Sequence, residues 1–313
     1  MLDAVSRAIF LSLAHSTLLK NGLSRYGMRG PHSFARRFIG GETLEEAVAT
    51  VHALGKLGFT HTLNHLGEHV ASKEAAQRAT AEYLRTVEQV GLAGLPCKVS
   101  LKLSQVGIEI DDGLCADNLR SIVVAAHHHG GFVRIDMEGS GLVDRTLNTF
   151  ESIWQEGHRN LGVVLQSYLY RTDDDLQRVL RLGARIRLVK GAYKEKPAVA
   201  YPDKTDVDAA FVRQARELMS HGSAPAFATH DPRMIDAVCA HATELGIGKG
   251  GFEFQMLYGV RRDLQRMLVG NGFSVRVYVP FGSDWFPYFM RRLAERPANV
   301  GFVLKSLMYE QKG

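Results

Sequence analysis

From residue 57 onward one unit recurs eight times: a short apolar run, a polar turn, then a stretch whose apolar residues return at helical spacing. The strand candidates are 59–65, 97–103, 132–137, 162–168, 185–191, 224–230, 252–257 and 274–280. Between them Ala76, Thr80, Tyr83, Val87 and Val90 keep to one helical face, as do Leu119, Ile122, Val123 and Ala126. Ile235, Val238, Cys239, Ala242 and Leu245 do the same. Strands alternating with helices imply parallel pairing, and eight regular units favour a closed (βα)8 TIM-like barrel over an open doubly wound sheet. Residues 1–57, including TLEEAVATVHALGKLG, read as an N-terminal helical extension, and 58–313 as the barrel, one domain overall.

Composition narrows the classes. Among 313 residues, 45% are hydrophobic and 23% charged, as in globular chains. Cys97, Cys115 and Cys239 form no CxxC pair, which argues for a reducing compartment and against structural zinc. The net charge of +5 comes from basic residues spread along the chain, so nucleic acid is not expected as a partner. No segment reaches the ~20 apolar residues a bilayer span needs. The opening MLDAVSRAIFLSLAHSTLLK reads as an amphipathic helix and not a signal peptide. A cytoplasmic location is expected, with docking on the inner membrane surface left open.

In a barrel of this kind the chemistry gathers at the carboxyl ends of the strands. Those ends carry Lys102, Asp136, Gln166, Arg187, Lys190 and His230 inside apolar runs. Burying such charges costs several kcal/mol each unless they pair or bind something. Singly each has a bland explanation: a barrel-filling ion pair, an arginine turned to solvent, or Asp231 capping the next helix. Six at one end of the strands point to a shared site. After the last strand, FPYFMRRLAERP puts Tyr288, Arg291, Arg292 and Glu295 on one helical face, polar where a core stripe would be apolar. Ser283 or Asp284 serves as its N-cap, with Pro287 in the first turn.

Several chemistries lack their signatures. HHH at 127–129 reads as a helix end before a Gly-Gly turn, not a ligand set; no GxSxG elbow occurs, and GIGKGG at 246–251 follows a helix instead of opening one. Lys190 suits a Schiff-base role. A cofactor enzyme and a lysine aldolase both stand at this level, as does a non-catalytic ligand-binding barrel.

SLKLSQ, RIDMEGS, LQSYLYR, RLVKGAYKE, FATHD, FEFQMLYG, RVYVPFG and YFMRRLAERPAN, in this order over about 38–305, resemble the flavin-dependent proline dehydrogenase family. With no aldehyde dehydrogenase segment following, the likeness is to monofunctional bacterial members. The resemblance implies noncovalent FAD, oxidation of L-proline to Δ1-pyrroline-5-carboxylate by hydride transfer from C5 to flavin N5, and a quinone-type electron acceptor. It implies a last helix over the barrel mouth, with Arg291 and Arg292 on the substrate carboxylate, a geometry guanidinium forks suit. Lys102 reaches the carboxylate from below, held by Asp136, while Tyr278, Tyr288 and Leu257 contact the ring. Glu295 steadies Arg292, and Glu68 pairs with Arg291 as a gate. For the cofactor it implies Met137, Gln166, Arg187, Val189, Lys190, Gly191, Ala192, Thr229 and His230, with Asp136 and Arg187 the catalytic pair. Hydroxyproline oxidation by the same family is the nearest alternative, and Tyr278 argues against room for a ring hydroxyl. The oligomeric state is left open.

Overall fold

In the computed structural model, which describes residues 28, 33–67 and 69–295, eight parallel strands close in chain order into a barrel. They are β1 (Thr60–His65), β2 (Lys98–Lys102), β3 (Phe132–Asp136), β4 (Leu161–Gln166), β5 (Arg185–Val189), β6 (Ser223–Ala228), β7 (Glu253–Leu257) and β8 (Ser274–Phe281). Every expected strand is present, with bounds within two residues of those read from the sequence. Closure comes from β1 against β8, in register from Thr60↔Arg276 to His65↔Phe281.

Helix α1 (Leu44–Lys56) precedes the barrel. The others follow the strands in turn: α2 (Lys73–Leu92), α3 (Asp112–His128), α4 (Val143–Gln155), α5 (Thr172–Leu180), α6 (Lys204–His221), α7 (Pro232–Glu244), α8 (Arg262–Gly270) and α9 (Trp285–Glu295). Their starts follow capping chemistry: Thr43, Ser72, Asp111 and Asp231 each accept a first-turn backbone N–H. The histidine triplet ends α3, and Gly130 follows at φ +60°. One periodic assignment is corrected. Leu245 does not extend the apolar face of α7; it caps the helix and is 43% exposed.

Two apolar clusters organise the molecule. The larger fills the space between strands and helices, with Leu101, Ile135, Leu165, Leu188, Phe227, Phe254 and Val277 buried in it. The smaller joins Met28, Phe38, Ile39, Leu66 and Val260 to Trp285, Phe286, Phe289, Met290 and Leu293 of α9. Leu66 and Val260 lie just past the carboxyl ends of β1 and β7, so α9 lies across that rim of the barrel. The segment before α1 packs there too: Trp285 Nε1 donates to Glu42 at 2.9 Å. Gly259, at φ +75°, comes so close to the Arg37 carbonyl that a Cβ would sit 1.7 Å from its oxygen. The amphipathic stretch expected at 1–20 lies outside the described residues. Among the described residues no helix is long and apolar enough to cross a membrane.

Candidate active site

Asp136, the last residue of β3, organises the barrel interior. Its Oδ1 accepts from Arg187 Nη1 of β5 at 2.7 Å and from Ser100 of β2 at 2.8 Å. Its Oδ2 accepts from the Tyr278 hydroxyl of β8 at 2.7 Å. Strands β3, β5 and β8 are not neighbours, so these side chains meet only inside the barrel. Alternation along each strand then turns Ile135, Leu188 and Val277 outward to the helices. The Arg187 side chain is 5% exposed and lies 5.5 Å over the Tyr278 ring. Burial, and then the Asp136 charge, push the Tyr278 hydroxyl well above a phenol's usual 10. The tyrosine therefore stays a neutral donor to a carboxylate.

Two buried groups beside this hub lack a hydrogen-bond partner among the described residues. Arg187 Nε–H and Gln166 Oε1, on adjacent strands, make no hydrogen bond among the described residues. One is a spare donor and the other a spare acceptor, and leaving them unmade costs about 1–3 kcal/mol each. Gln166 Nε2 donates to the Met137 carbonyl at 3.5 Å, which sets the two residues side by side. The pyrimidine edge of a flavin carries an N–H donor next to acceptors, so this pair fits such a ring.

Past β5 the chain turns at Gly191, whose φ of +114° suits only glycine. A Cβ there would meet the Tyr168 ring at 2.3 Å. Lys190 beside it lies between two carboxylates, Asp208 of α6 and Asp231 at 2.9 Å. Asp208 also accepts from Lys204 at 2.6 Å and Arg233 at 2.8 Å. Burial alone would raise both carboxyls, but Lys190 and Lys204 together, with the Arg233 N–H on Asp231, outweigh it and hold them below their usual range. A Schiff-base lysine has to present its amine to a substrate carbonyl, whereas Lys190 Nζ is engaged by two carboxylates. This placement lends the aldolase reading of Lys190 no support. Thr229 is buried and accepts from the Asp231 N–H at 3.1 Å. His230 Nε2 accepts from the Leu257 N–H at 2.9 Å, which fixes that nitrogen as unprotonated and ties β6 to the end of β7. Val189 is half-buried and Ala192 exposed.

Above the hub, α9 begins directly after Asp284 with Pro287 in its first turn. Tyr288 is buried, and Leu257 packs against the same cluster. Arg291 and Arg292 are half-buried, with the Arg292 guanidinium 5.0 Å over the Tyr288 ring. Glu68 and the side chain of Glu295 lie outside the described residues.

One pairing is corrected. Lys102 stands opposite Asp136 in the β2–β3 register, yet the cation bonded to Asp136 is Arg187. Other features went unread in the sequence. At the opposite end of the barrel Arg276 makes a two-pronged pair with Glu253, both bonds 2.8 Å, and Arg134 packs 4.9 Å over Phe132. Their signal was parity: Arg134 shares a strand face with Asp136, and Arg276 with Tyr278. Ser100, Asp208 and Glu138 were also missed. Among the described residues no group of His, Cys, Asp or Glu is gathered to hold a metal ion.

Comparison with known proteins gives a consistent picture. The family model described as proline dehydrogenase matches residues 47–305. The chain is 40% identical to proline dehydrogenase 2 of Bacillus subtilis, over 97% of this chain and 99% of that one. It is 41% identical to the proline dehydrogenase of Deinococcus radiodurans, over 98% and 99%. Among solved structures it resembles proline utilization A from Bdellovibrio bacteriovorus, with a TM-score of 0.79 and 27% identity. That likeness spans 83% of this chain and 32% of the other.

Proposed function

The chain belongs to the proline dehydrogenase family of oxidoreductases, and from that premise we propose that it oxidises L-proline to Δ1-pyrroline-5-carboxylate beneath α9, with noncovalent FAD beside Arg187. The observation that carries this reading is the stacking of two layers at one rim. Half-buried Arg291 and Arg292 sit on a helix across the mouth, over an interior in which Asp136, Arg187 and Tyr278 are locked together.

In this reading Arg291 and Arg292 take the substrate carboxylate, and Lys102 adds a third cation from the end of β2. Fixing the carboxylate at two guanidinium forks orients the ring, and orientation of this kind is worth several kcal/mol of barrier. Tyr288, Tyr278 and Leu257 cover the ring and exclude water. The Tyr278 hydroxyl is committed to Asp136, so its ring cannot swing aside for a ring hydroxyl, which favours proline over hydroxyproline. The proline nitrogen must be neutral for its C5–H bond to be broken as hydride.

FAD, when bound, would supply the two-electron acceptor for that bond, with a quinone-type acceptor at the inner membrane surface to reoxidise it. Gln166 Oε1 and Arg187 Nε–H, orphaned and buried, are the donor-and-acceptor pair such a ring requires. Met137, Thr229 and His230 would line the remainder, with Val189, Lys190, Gly191 and Ala192 along the ring or the chain leading to the pyrophosphate. Arg187 keeps a fixed positive charge where negative charge develops, already oriented by Asp136. The catalytic roles of Asp136 and Arg187 are thus electrostatic.

Steady-state oxidation of proline with a soluble quinone tests the reading. Arg291→Ala and Arg292→Ala each remove charge-assisted bonds of about 2–3 kcal/mol, so the KM for proline rises roughly 30- to 150-fold while FAD stays bound. Unchanged KM in both variants would refute the carboxylate assignment.

A further inference from the structure

The segment after β3, Glu138-Gly139-Ser140, sits between two identical contacts that the proposed chemistry does not use. Glu138 is 1% exposed and accepts twice from Ser104: its backbone N–H at 3.0 Å and its hydroxyl at 2.5 Å. Two residues on, Ser140 donates in the same way to Glu195, from its N–H at 2.7 Å and its hydroxyl at 2.6 Å. In each case one carboxylate receives both donors of one serine, which fixes the carboxylate plane and the serine backbone together.

The two serines and glutamates belong to different neighbours of the site. Ser104 lies in the single turn Leu103–Gln105 that directly follows Lys102. That turn is held again by Gln105, which accepts from the Lys102 N–H at 3.2 Å and from the Tyr83 hydroxyl at 3.0 Å. The Ser104 carbonyl also accepts from Val70 N–H at 3.2 Å, which links the loop after β1. Glu195 lies four residues past Gly191, in the loop between β5 and α6. Without the glutamates, the Ser104 hydroxyl would lose the Glu138 carboxylate it donates to, and the Ser140 tie between the β5 loop and the segment after β3 would be gone.

We propose that the loop after β3 is a double clasp in which Glu138 and Glu195 are positioning residues, Glu138 fixing the reach of Lys102 toward the substrate and Glu195 fixing the Gly191 loop toward the cofactor. The assignment of one clasp to substrate and the other to cofactor rests on the function proposed above. Because each glutamate holds a different loop, their losses separate into different measurable parameters. A merely structural role would lower stability and move both parameters together.

The test uses the FAD-loaded wild type, Glu138→Ala, Glu138→Gln, Glu195→Ala and Ser140→Ala, with KM and kcat for proline, the Kd for FAD and thermal unfolding measured on each. Glu138→Ala is expected to raise the KM for proline about tenfold with FAD affinity unchanged, the loss of roughly one net hydrogen bond. Glu138→Gln, which still accepts from the Ser104 N–H, recovers part of it. In a Lys102→Met background the Glu138→Ala effect on KM disappears. Glu195→Ala and Ser140→Ala weaken FAD binding about tenfold on the same scale, with the KM of the saturated enzyme unchanged. KM and Kd moving together in both sets, in step with lost stability, would overturn the clasp while leaving the function intact. So would a Glu138→Ala effect that persists in full without Lys102. A wild type that neither loads FAD nor oxidises proline would overturn the underlying function and the clasp assignments with it.

Discussion

Replacing Asp136 by alanine is the perturbation whose energetic consequence follows most directly from the structure. The carboxylate is the ion-pair partner of an arginine whose side chain is 5% exposed, and it accepts from Tyr278 and Ser100 as well. Stranding a buried guanidinium costs about 3–5 kcal/mol. The Tyr278 hydroxyl loses its acceptor at about 1 kcal/mol, while the Ser100 hydroxyl keeps the Arg134 carbonyl at 3.2 Å. Asp136→Ala should therefore destabilise the FAD-free chain by about 5 kcal/mol, and Asp136→Asn, which keeps shape and an acceptor, by roughly half of that. The decisive variant is Asp136→Ala with Arg187→Met, which removes both charges and should be more stable than Asp136→Ala alone by about 2 kcal/mol or more. Urea unfolding at neutral pH, without FAD so that ligand binding does not shift the midpoint, measures all three. A double variant no more stable than the single one would refute the claim that an unpaired buried charge dominates the cost.

Other outcomes follow from single contacts. Gly191→Ala puts a Cβ 2.3 Å from the Tyr168 ring at a φ of +114°, so it should lower stability by about 1–3 kcal/mol and weaken FAD binding, read by unfolding and by flavin titration. His61 is buried; burial first, then Arg276 and Lys98, lower its pKa from 6.5 to about 4. The unfolded chain takes up that proton below pH 6.5 and the folded one only near pH 4, so the stability present above 6.5 is lost between these values, by up to about 3 kcal/mol. His61→Leu should flatten that acid limb in unfolding measured at pH 7 and pH 4.5; an unchanged slope would remove His61 as its source.

The fold was legible because strands at regular spacing and helices with one apolar face repeat without interruption, and local period alone carries that information. The gathering of charge at the carboxyl ends was legible for a related reason: lysine, aspartate and arginine inside apolar strands are costly, and the barrel gives them one place to meet. Which of them meet was not. Asp136 bonds across the barrel to β5 and β8, and such partners depend on closure and stagger, which no local spacing encodes. The Lys102–Asp136 pairing came with the family resemblance, whereas the structure pairs Asp136 with Arg187 of β5. Lys190 looked free in KGAY because its two carboxylates come from α6 and the start of α7, distant in sequence. Arg134 and Arg276 had a readable parity signal, but lie toward the end of the barrel where no chemistry was sought.

The most direct test is an absorbance spectrum of the purified, FAD-supplied protein before and after L-proline is added without oxygen. The account predicts flavin bands that bleach on addition of proline and return when a quinone is supplied. A flavin that ignores proline would contradict the substrate assignment, and a protein that stays colourless with FAD present would contradict the reading of Arg187, Gln166 and Gly191 as a cofactor site.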